Sequence, residues 1–463
     1  MLASCIALSN VARETKSMPG SDGRCGDDGP LWLGLTTAHH RPSALAPLRI
    51  RSFRIQWPSD LLTSCAFEME NLILGWYMLV ETGSVLLLSL FGALLYIGTL
   101  LAPLFGVAAD RIGHRNLLCA MRGFYMVLAA TLMAIALAGA LSPFAVFCIA
   151  ALMGLVRPSD LGVRGALVAH IVPAEQLMAA MAVSRTTSDG ARIMGALTGA
   201  SLFAGFGIGP AYVVVTAFYA VGLLLLVAMG RQAGAPPPSV LARVARAGAA
   251  QSPAARASPW SDLVEGLALV WSTPALLAGM LVAVLVNLLA FPLCIQLLPY
   301  VAREIYGVDE RGLGFLVASF ASGALVGSVA VTVGRRIAPA RTMILSTLAW
   351  FVCVLAFAQM RTAWSGAAML ALGGFAQSLS MVTLAVVLLG IAGGKFRGRI
   401  MGVRMLAIYS LPLGALAGGA LFGVIGFRAT GTLYALAGVA LTLAIAWHWR
   451  ADLWPADLPA NGG

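Results

Sequence analysis

The segment VLLLSLFGALLYIGTLLAPLFGVAA, residues 85 to 109, holds no charge in 25 positions, and ALLAGMLVAVLVNLLAFPLCIQLL, residues 275 to 298, holds none in 24. A helix needs about 20 consecutive apolar residues to cross a bilayer core, so runs of this length read as membrane-crossing helices. Composition agrees, with 60% hydrophobic and 11% charged residues, against roughly 45–50% and about 25% in soluble domains. Short segments of alternating polarity, the mark of a membrane barrel, do not occur. The chain is predicted to be an all-α integral membrane protein.

Twelve apolar spans follow one another, at about 58–80, 85–109, 117–139, 142–168, 178–205, 209–229, 274–298, 311–334, 342–360, 363–391, 401–425 and 428–449. Residues 1–55 mix Gly, Pro, Ser and charge without a period and are expected to be a disordered cytoplasmic segment; MLASCIALSN lacks the basic start of a secretory signal. A Pro, Ala and Arg-rich stretch at 230–262 divides the spans six and six, giving a first bundle at 56–229 and a second at 263–450, with a tail at 451–463. WSDLVEGLALVW, residues 260 to 271, reads either as an amphipathic surface helix or as simple linkage.

The net charge of +11 does not point to nucleic acid, because the basic residues are scattered through short loops. Arg49, Arg51, Arg54, Arg111, Arg115, Arg335, Arg336, Lys395, Arg397, Arg399 and Arg450 fall on one side, and only Arg303, Arg311, Arg361 and Arg428 on the other. The positive-inside bias places both termini in the cytoplasm, in a cell inner membrane. Seven cysteines form no CxxC pair and five histidines no HExxH, so no metal, cofactor or disulfide framework is expected. Clustered catalytic groups are also lacking, which argues against an enzyme.

The halves repeat each other. GALTGASLFAGFG (195–207) aligns with GALAGGALFGVIG (414–426) at an offset of 219 residues, which also sets Arg185 on Arg404. DRIGHRNLL (110–118) aligns with RRIAPARTMI (335–344) at 225. A duplicated chain of this kind predicts two pseudo-symmetric six-helix bundles around a shared central path. Gly195 and Gly199, and Gly414 and Gly418, form small-residue faces suited to close helix packing.

FGVAADRIGHR, joining spans two and three, resembles the signature loop of the major facilitator superfamily, with Gly106, Asp110, Arg111, Gly113 and Arg115 in place and His114 where another basic residue is usual. The resemblance covers about residues 55 to 450, and LGWYMLVETGS (74–84) resembles the drug, macrolide and siderophore exporters of that superfamily. It implies a cytoplasmic latch in which Asp110 faces a helix end near Arg399 to Arg404 while Arg111 and Arg115 reach a carboxylate on span four. Exporters of the family usually carry G-P-x-x-G-G in span five; Gly195, Ala196, Gly199 and Ala200 stand there instead.

Two spans carry charge where hydrocarbon should be. Arg157, Asp160 and Arg164 fall within about 60° on one face of span four, and Arg185, Asp189 and Arg192 do the same on span five. Six such charges facing lipid would cost about 15–20 kcal/mol at about 2.5–3.5 each, so they face one another or water. Counting depth from Pro173 predicts an Arg157 pair with Asp189 and an Asp160 pair with Arg185, with Asp160 also the candidate partner of Arg115. The same charges could instead do no more than fix packing.

Glu68 and Glu70 lie two or three turns into span one with no basic residue nearby in sequence. Desolvation favours a protonated carboxyl, so such a group can exchange a proton for a cationic or neutral substrate; simple hydration at the interface is the alternative. Residues two apart point about 200° apart on a helix, so one of the two faces the cavity, and Glu68 is preferred. Asn287, Gln296, Gln377 and Tyr409 could line the second bundle or bond neighbouring helices, and Pro292 and Pro412 could kink gating segments. The reading is a monomeric secondary transporter that moves a small-molecule substrate across the lipid bilayer by alternating access, with proton-driven export preferred. Uptake or facilitated diffusion is the alternative within the fold, and a membrane sensor or enzyme on a similar bundle the alternative outside it.

Overall fold

Hydrocarbon offers no partner to a backbone N–H or C=O, so apolar spans satisfy themselves by becoming helices. A computed structural model describes residues 46–230, 259–333 and 338–453, and every regular element among them is helical. Residues 1–45, most of the 230–262 linker, Arg335 and Arg336 of the second motif copy, and the tail from 454 lie outside the described residues.

The first half comprises α1 (Arg51–Thr82), α2 (Val85–Leu94), α3 (Ala102–Ile112), α4 (His114–Leu137), α5 (Pro143–Ile171), α6 (Ala174–Phe206) and α7 (Ile208–Ala228). The second comprises α8 (Pro259–Ser272), α9 (Pro274–Leu285), α10 (Glu310–Val333), α11 (Pro339–Gln359), α12 (Ala363–Ala407) and α13 (Ser410–His448). Among the described residues, eight helices are long and apolar enough to cross a membrane. Neither α1 nor α6, which carry Glu68 and Arg192, is among the eight.

Several boundaries differ from the sequence reading. Residues 46–55, expected to be disordered, form a 3-10 turn at Ala46–Arg49 and the first turn of α1, because Phe53 is buried against Val168, Val172 and Ala180. Span two is broken between α2 and α3 by a 3-10 turn at Ile97–Leu101. The loop expected near residues 392–400 is continuous helix, and the chain breaks instead at Ile408 and Tyr409. Pro412 follows in the first turn of α13, where a missing N–H leaves nothing unpaired. A second bend falls at Gly426, whose φ of 77° only glycine adopts without strain. Span seven continues α9 through π-helical turns at Val286–Ala290, Pro292–Gln296 and Val301–Ile305. Between linkage and surface helix for residues 260 to 271, the structure has a helix, α8, whose Gly266 packs on Arg399 and Val403 and whose Glu265 pairs with Arg399.

The repeat visible in the sequence reappears as packing. A side chain on Gly195 would run into the Cys65 carbonyl of α1, and one on Gly414 into the Leu288 carbonyl in the span-seven turn. Gly199 rests on Met69 of α1, and Gly418 on Leu297. Matching glycines thus seat matching helices on the first span of their own half. Between halves, α6 packs on α10 and α2 on α13.

Close contacts between the halves occur at the end of the molecule away from the 110–115 loop. Arg303 donates to the Leu79 carbonyl at 3.2 Å, Gly75 faces Pro299, Gly419 faces Ser89, and Gly314 faces Ala196 and Ala200. The two halves therefore close against each other at that end.

Candidate functional site

A central cavity of about 110 Å³ lies where the halves meet, walled by Glu68, Asn71 and Leu72 of α1, Phe91 of α2, Arg157 of α5, Arg192 of α6, the 294–299 turn and Phe320 of α10. Leu95, Tyr96 and Arg157 also line a second cavity of about 380 Å³, which runs past Phe105, Ala109 and Val163 to His114. One charge from each of spans one, four and five, Glu68, Arg157 and Arg192, thus lines the central cavity.

Their partners differ from those counted along the chain. Glu68 has a cation after all: Arg192 lies 3.5 Å away on α6. Glu70 points the other way, away from the cavity, where it accepts hydrogen bonds from Tyr212 at 3.2 Å and Tyr219 at 3.0 Å on α7. Arg157 does not pair with Asp189, nor Asp160 with Arg185. Arg164 instead donates to Asp160 at 2.7 Å, and Arg185 stands 3.3 Å from Asp189, each pair one helical turn apart. Residues four apart share a helix face, so these pairs form without reference to the neighbouring helix. Arg157 stacks over the Phe67 ring at 4.7 Å from its centroid.

A buried cluster sits nearer the 110–115 loop, and sequence reading missed half of it. Asp60 of α1 pairs with Arg122 of α4 and lies 3.7 Å from Arg164, while Ser59 and Ser64 accept from Arg122 and Arg164. Gln56 donates to the second Asp60 oxygen at 3.3 Å. Two aspartates and two arginines make the cluster neutral, which is what allows it to be buried. Arg122 stands alone in the apolar run CAMRGFYMVL, the same signal that singles out Arg157.

The sequence profile of the Major Facilitator Superfamily matches residues 58–407. The chain belongs to that superfamily. Membership makes it a multi-pass membrane transporter rather than an enzyme. No curated protein sequence matches the chain. Among solved structures, the human organic anion transporter MFSD10 (TETRAN) is 19% identical, with a TM-score of 0.59, over 86% of this chain and 99% of that one. The nucleoside transporter NupG is 13% identical, with a TM-score of 0.67, over 86% and 99%. The peptide transporter POT in complex with sulfate is 13% identical, with a TM-score of 0.65, over 87% and 95%. At such identities the likeness concerns the fold.

The superfamily's signature loop turns at Gly113, whose φ of 87° lies in the left-handed region. Gly106 lines the second cavity and Arg111 is exposed; the Asp110 side chain lies outside those described. Arg115 reaches no carboxylate on span four. Its guanidinium donates to the Leu226 carbonyl at 3.2 Å and the Val227 carbonyl at 2.7 Å. Those carbonyls lie in the last turn of α7, at the negative end of its dipole, whereas Asp160 is already held by Arg164.

Of the second-half candidates, Asn287 donates to the Ala283 carbonyl within its own span at 2.8 Å. Gln377 is buried on α12 with its amide oxygen unpartnered among the described residues. Gln296 is the one that reaches the cavity, carried there by the π-helical turn that begins at Pro292.

Proposed function

We propose that this transporter moves a small organic molecule by alternating access and couples the movement to protons through Glu68 and Arg192. The observation that carries the reading is their ion pair in the cavity wall, bridging α1 and α6. A proton delivered by cavity water to the Glu68 carboxylate would remove its charge and release Arg192. One protonation step then changes the charge a substrate meets and loosens the contact between two helices that must move. An intramembrane carboxylate at a water-lined site is suited to that task.

Closure of the halves at the end away from the 110–115 loop, with cavities leading toward that loop, is one of the two arrangements alternating access requires. The Asp60, Arg122, Asp160 and Arg164 cluster, with Arg185 and Asp189, would hold the loop end of the first bundle together while the other end opens. We place that loop end in the cytoplasm of an inner membrane on the positive-inside bias, with the transporter acting as a monomer.

Export is the preferred direction, supported by the resemblance of residues 74–84 to exporters. Uptake in the same fold is a second reading, favoured by Ala196 standing where exporters carry proline. Purified protein in liposomes, with a pH gradient imposed in each direction and a metabolite mixture assayed by mass spectrometry, tests the proposal. Gradient-driven movement of at least one solute supports it, and its direction relative to the protons separates export by exchange from uptake. Movement that ignores the gradient in both directions would contradict the coupling.

A further inference from the structure

We infer that the substrate is an organic anion, a carboxylate on an apolar body, and that Arg157 binds its charge. The inference rests on the reading above that the central cavity is the transport site, and it adds the class of molecule that site takes.

The charge balance of the cavities is uneven. Among residues lining the two of them, the acidic and basic side chains are Glu68, Arg157, Arg192 and, at the end toward the 110–115 loop, His114. Glu68 is engaged by Arg192. Arg157 makes no ion pair or hydrogen bond among the described residues; it has only the Phe67 ring beneath it. Glu70 acts on Arg157 at longer range, but its two oxygens each accept from a tyrosine hydroxyl on the far side of α1. An aromatic face holds a guanidinium flat while leaving its N–H rim free. A cation left without a carboxylate inside a membrane is costly unless it has a partner for part of the cycle.

The opposite wall offers a second polar arm. Gln296 comes from the other half of the chain, and neither its amide oxygen nor its amide nitrogen has a hydrogen-bond partner among the described residues. A planar carboxylate presents two oxygens, matching the donor fork of arginine and leaving lone pairs for an amide N–H. One anion could therefore bridge the two halves, which is how a substrate favours their coming together.

The remainder of the site describes the rest of the ligand. Arg157 stands at the junction of the small central cavity with the larger one, whose walls include Leu95, Phe105, Val163, Ala166, Met405 and Ile408. A charge held at Arg157 would place an attached hydrocarbon or aromatic group among those side chains. Sugars and other polyhydroxylated solutes would find few hydrogen-bond partners there.

Calorimetric titration of the full-length protein in detergent, at one pH and without any gradient, tests the inference with benzoate, its neutral isostere benzamide and the cation benzylamine. Benzoate is expected to bind saturably and about tenfold or more tightly than either comparison compound. R157Q should weaken benzoate by about tenfold or more while R157K retains part of the affinity, and Q296L should weaken it from the opposite wall. Thermal melting of each variant separates lost binding from lost folding, and the wild-type ranking stands alone should R157Q fail to fold. Equal or tighter binding of benzamide or benzylamine, or unchanged benzoate binding in folded R157Q and Q296L, would overturn it. Benzoate binding that persists while pH-driven transport fails removes only the coupling. Transport of neutral or cationic solutes without benzoate binding removes only the anion assignment.

Discussion

Arg122 on α4 and Asp60 on α1 form an ion pair 62 residues apart in sequence, with the arginine side chain fully shielded from solvent. Such a pair adds little by its presence, since desolvating both ions offsets their attraction, but losing one member strands the other. Arg122→Leu is expected to destabilise the protein by about 3–5 kcal/mol, and Asp60→Leu in the same chain to recover most of that, since Arg164 keeps Asp160. Denaturant titration in detergent measures it; an additive double variant would show that the pair does not behave as a unit.

Arg115 holds the end of α7 and not a carboxylate on α5. Arg115→Gln should cost about 1–2 kcal/mol through the lost charge-assisted hydrogen bonds. Combined with Asp160→Asn, its effect should be additive within about 0.5 kcal/mol, because the two residues share no partner. A larger coupling energy in this double-mutant cycle would restore the contact that the signature motif suggests.

Two glycines of α6 should respond oppositely to an added methyl group. Gly195→Ala places a Cβ 2.7 Å from the Cys65 carbonyl oxygen, whereas Gly205→Ala meets nothing within 4 Å. The first is expected to lower stability by about 1–3 kcal/mol and the second to leave it unchanged or slightly raised, as helix propensity favours alanine. Thermal unfolding in detergent distinguishes them, and equal melting temperatures would count against close packing of α6 on α1.

The closed end can be locked. A Cβ at Gly419 would lie 3.0 Å from the Ser89 Cβ, closer than the roughly 3.5–4.5 Å that a disulfide spans, so a cross-link there needs the two helices to part slightly. Ser89→Cys with Gly419→Cys, in a chain otherwise free of cysteine, should cross-link under mild oxidation and stop transport until reductant is added. Full transport by the cross-linked protein would mean that this contact does not open during the cycle.

Fold and site were legible in the sequence to different depths. Apolar runs, the Gly195 and Gly414 repeat and the 106–115 motif carried the fold, because each is a local pattern with a length or spacing that hydrocarbon and close packing impose. The candidate charges were found from local pattern too, since Arg157 stands out against apolar neighbours and Arg192 shares a helix face with Arg185 and Asp189. Their partners were not, because pairing depends on helix rotation. Depth counted from Pro173 places Arg157 level with Asp189, yet Arg164 and Arg185 pair with Asp160 and Asp189 from within their own helices. Glu68 lacked a cation in the sequence only because Arg192 lies 124 positions away. Asp60 was overlooked at the predicted edge of span one, and the close approach of Gly98 to the Leu155 backbone, at the break of Ile97–Leu101, is a contact that no single span records.

The most direct test of the central claim compares wild-type protein with Glu68→Gln in liposomes, using the solute that the metabolite screen identifies. A pH gradient should drive wild-type accumulation of that solute well beyond equilibrium, while Glu68→Gln should show exchange of the solute down its own gradient and no response to pH. Accumulation by Glu68→Gln equal to wild type under the same gradient would contradict the account.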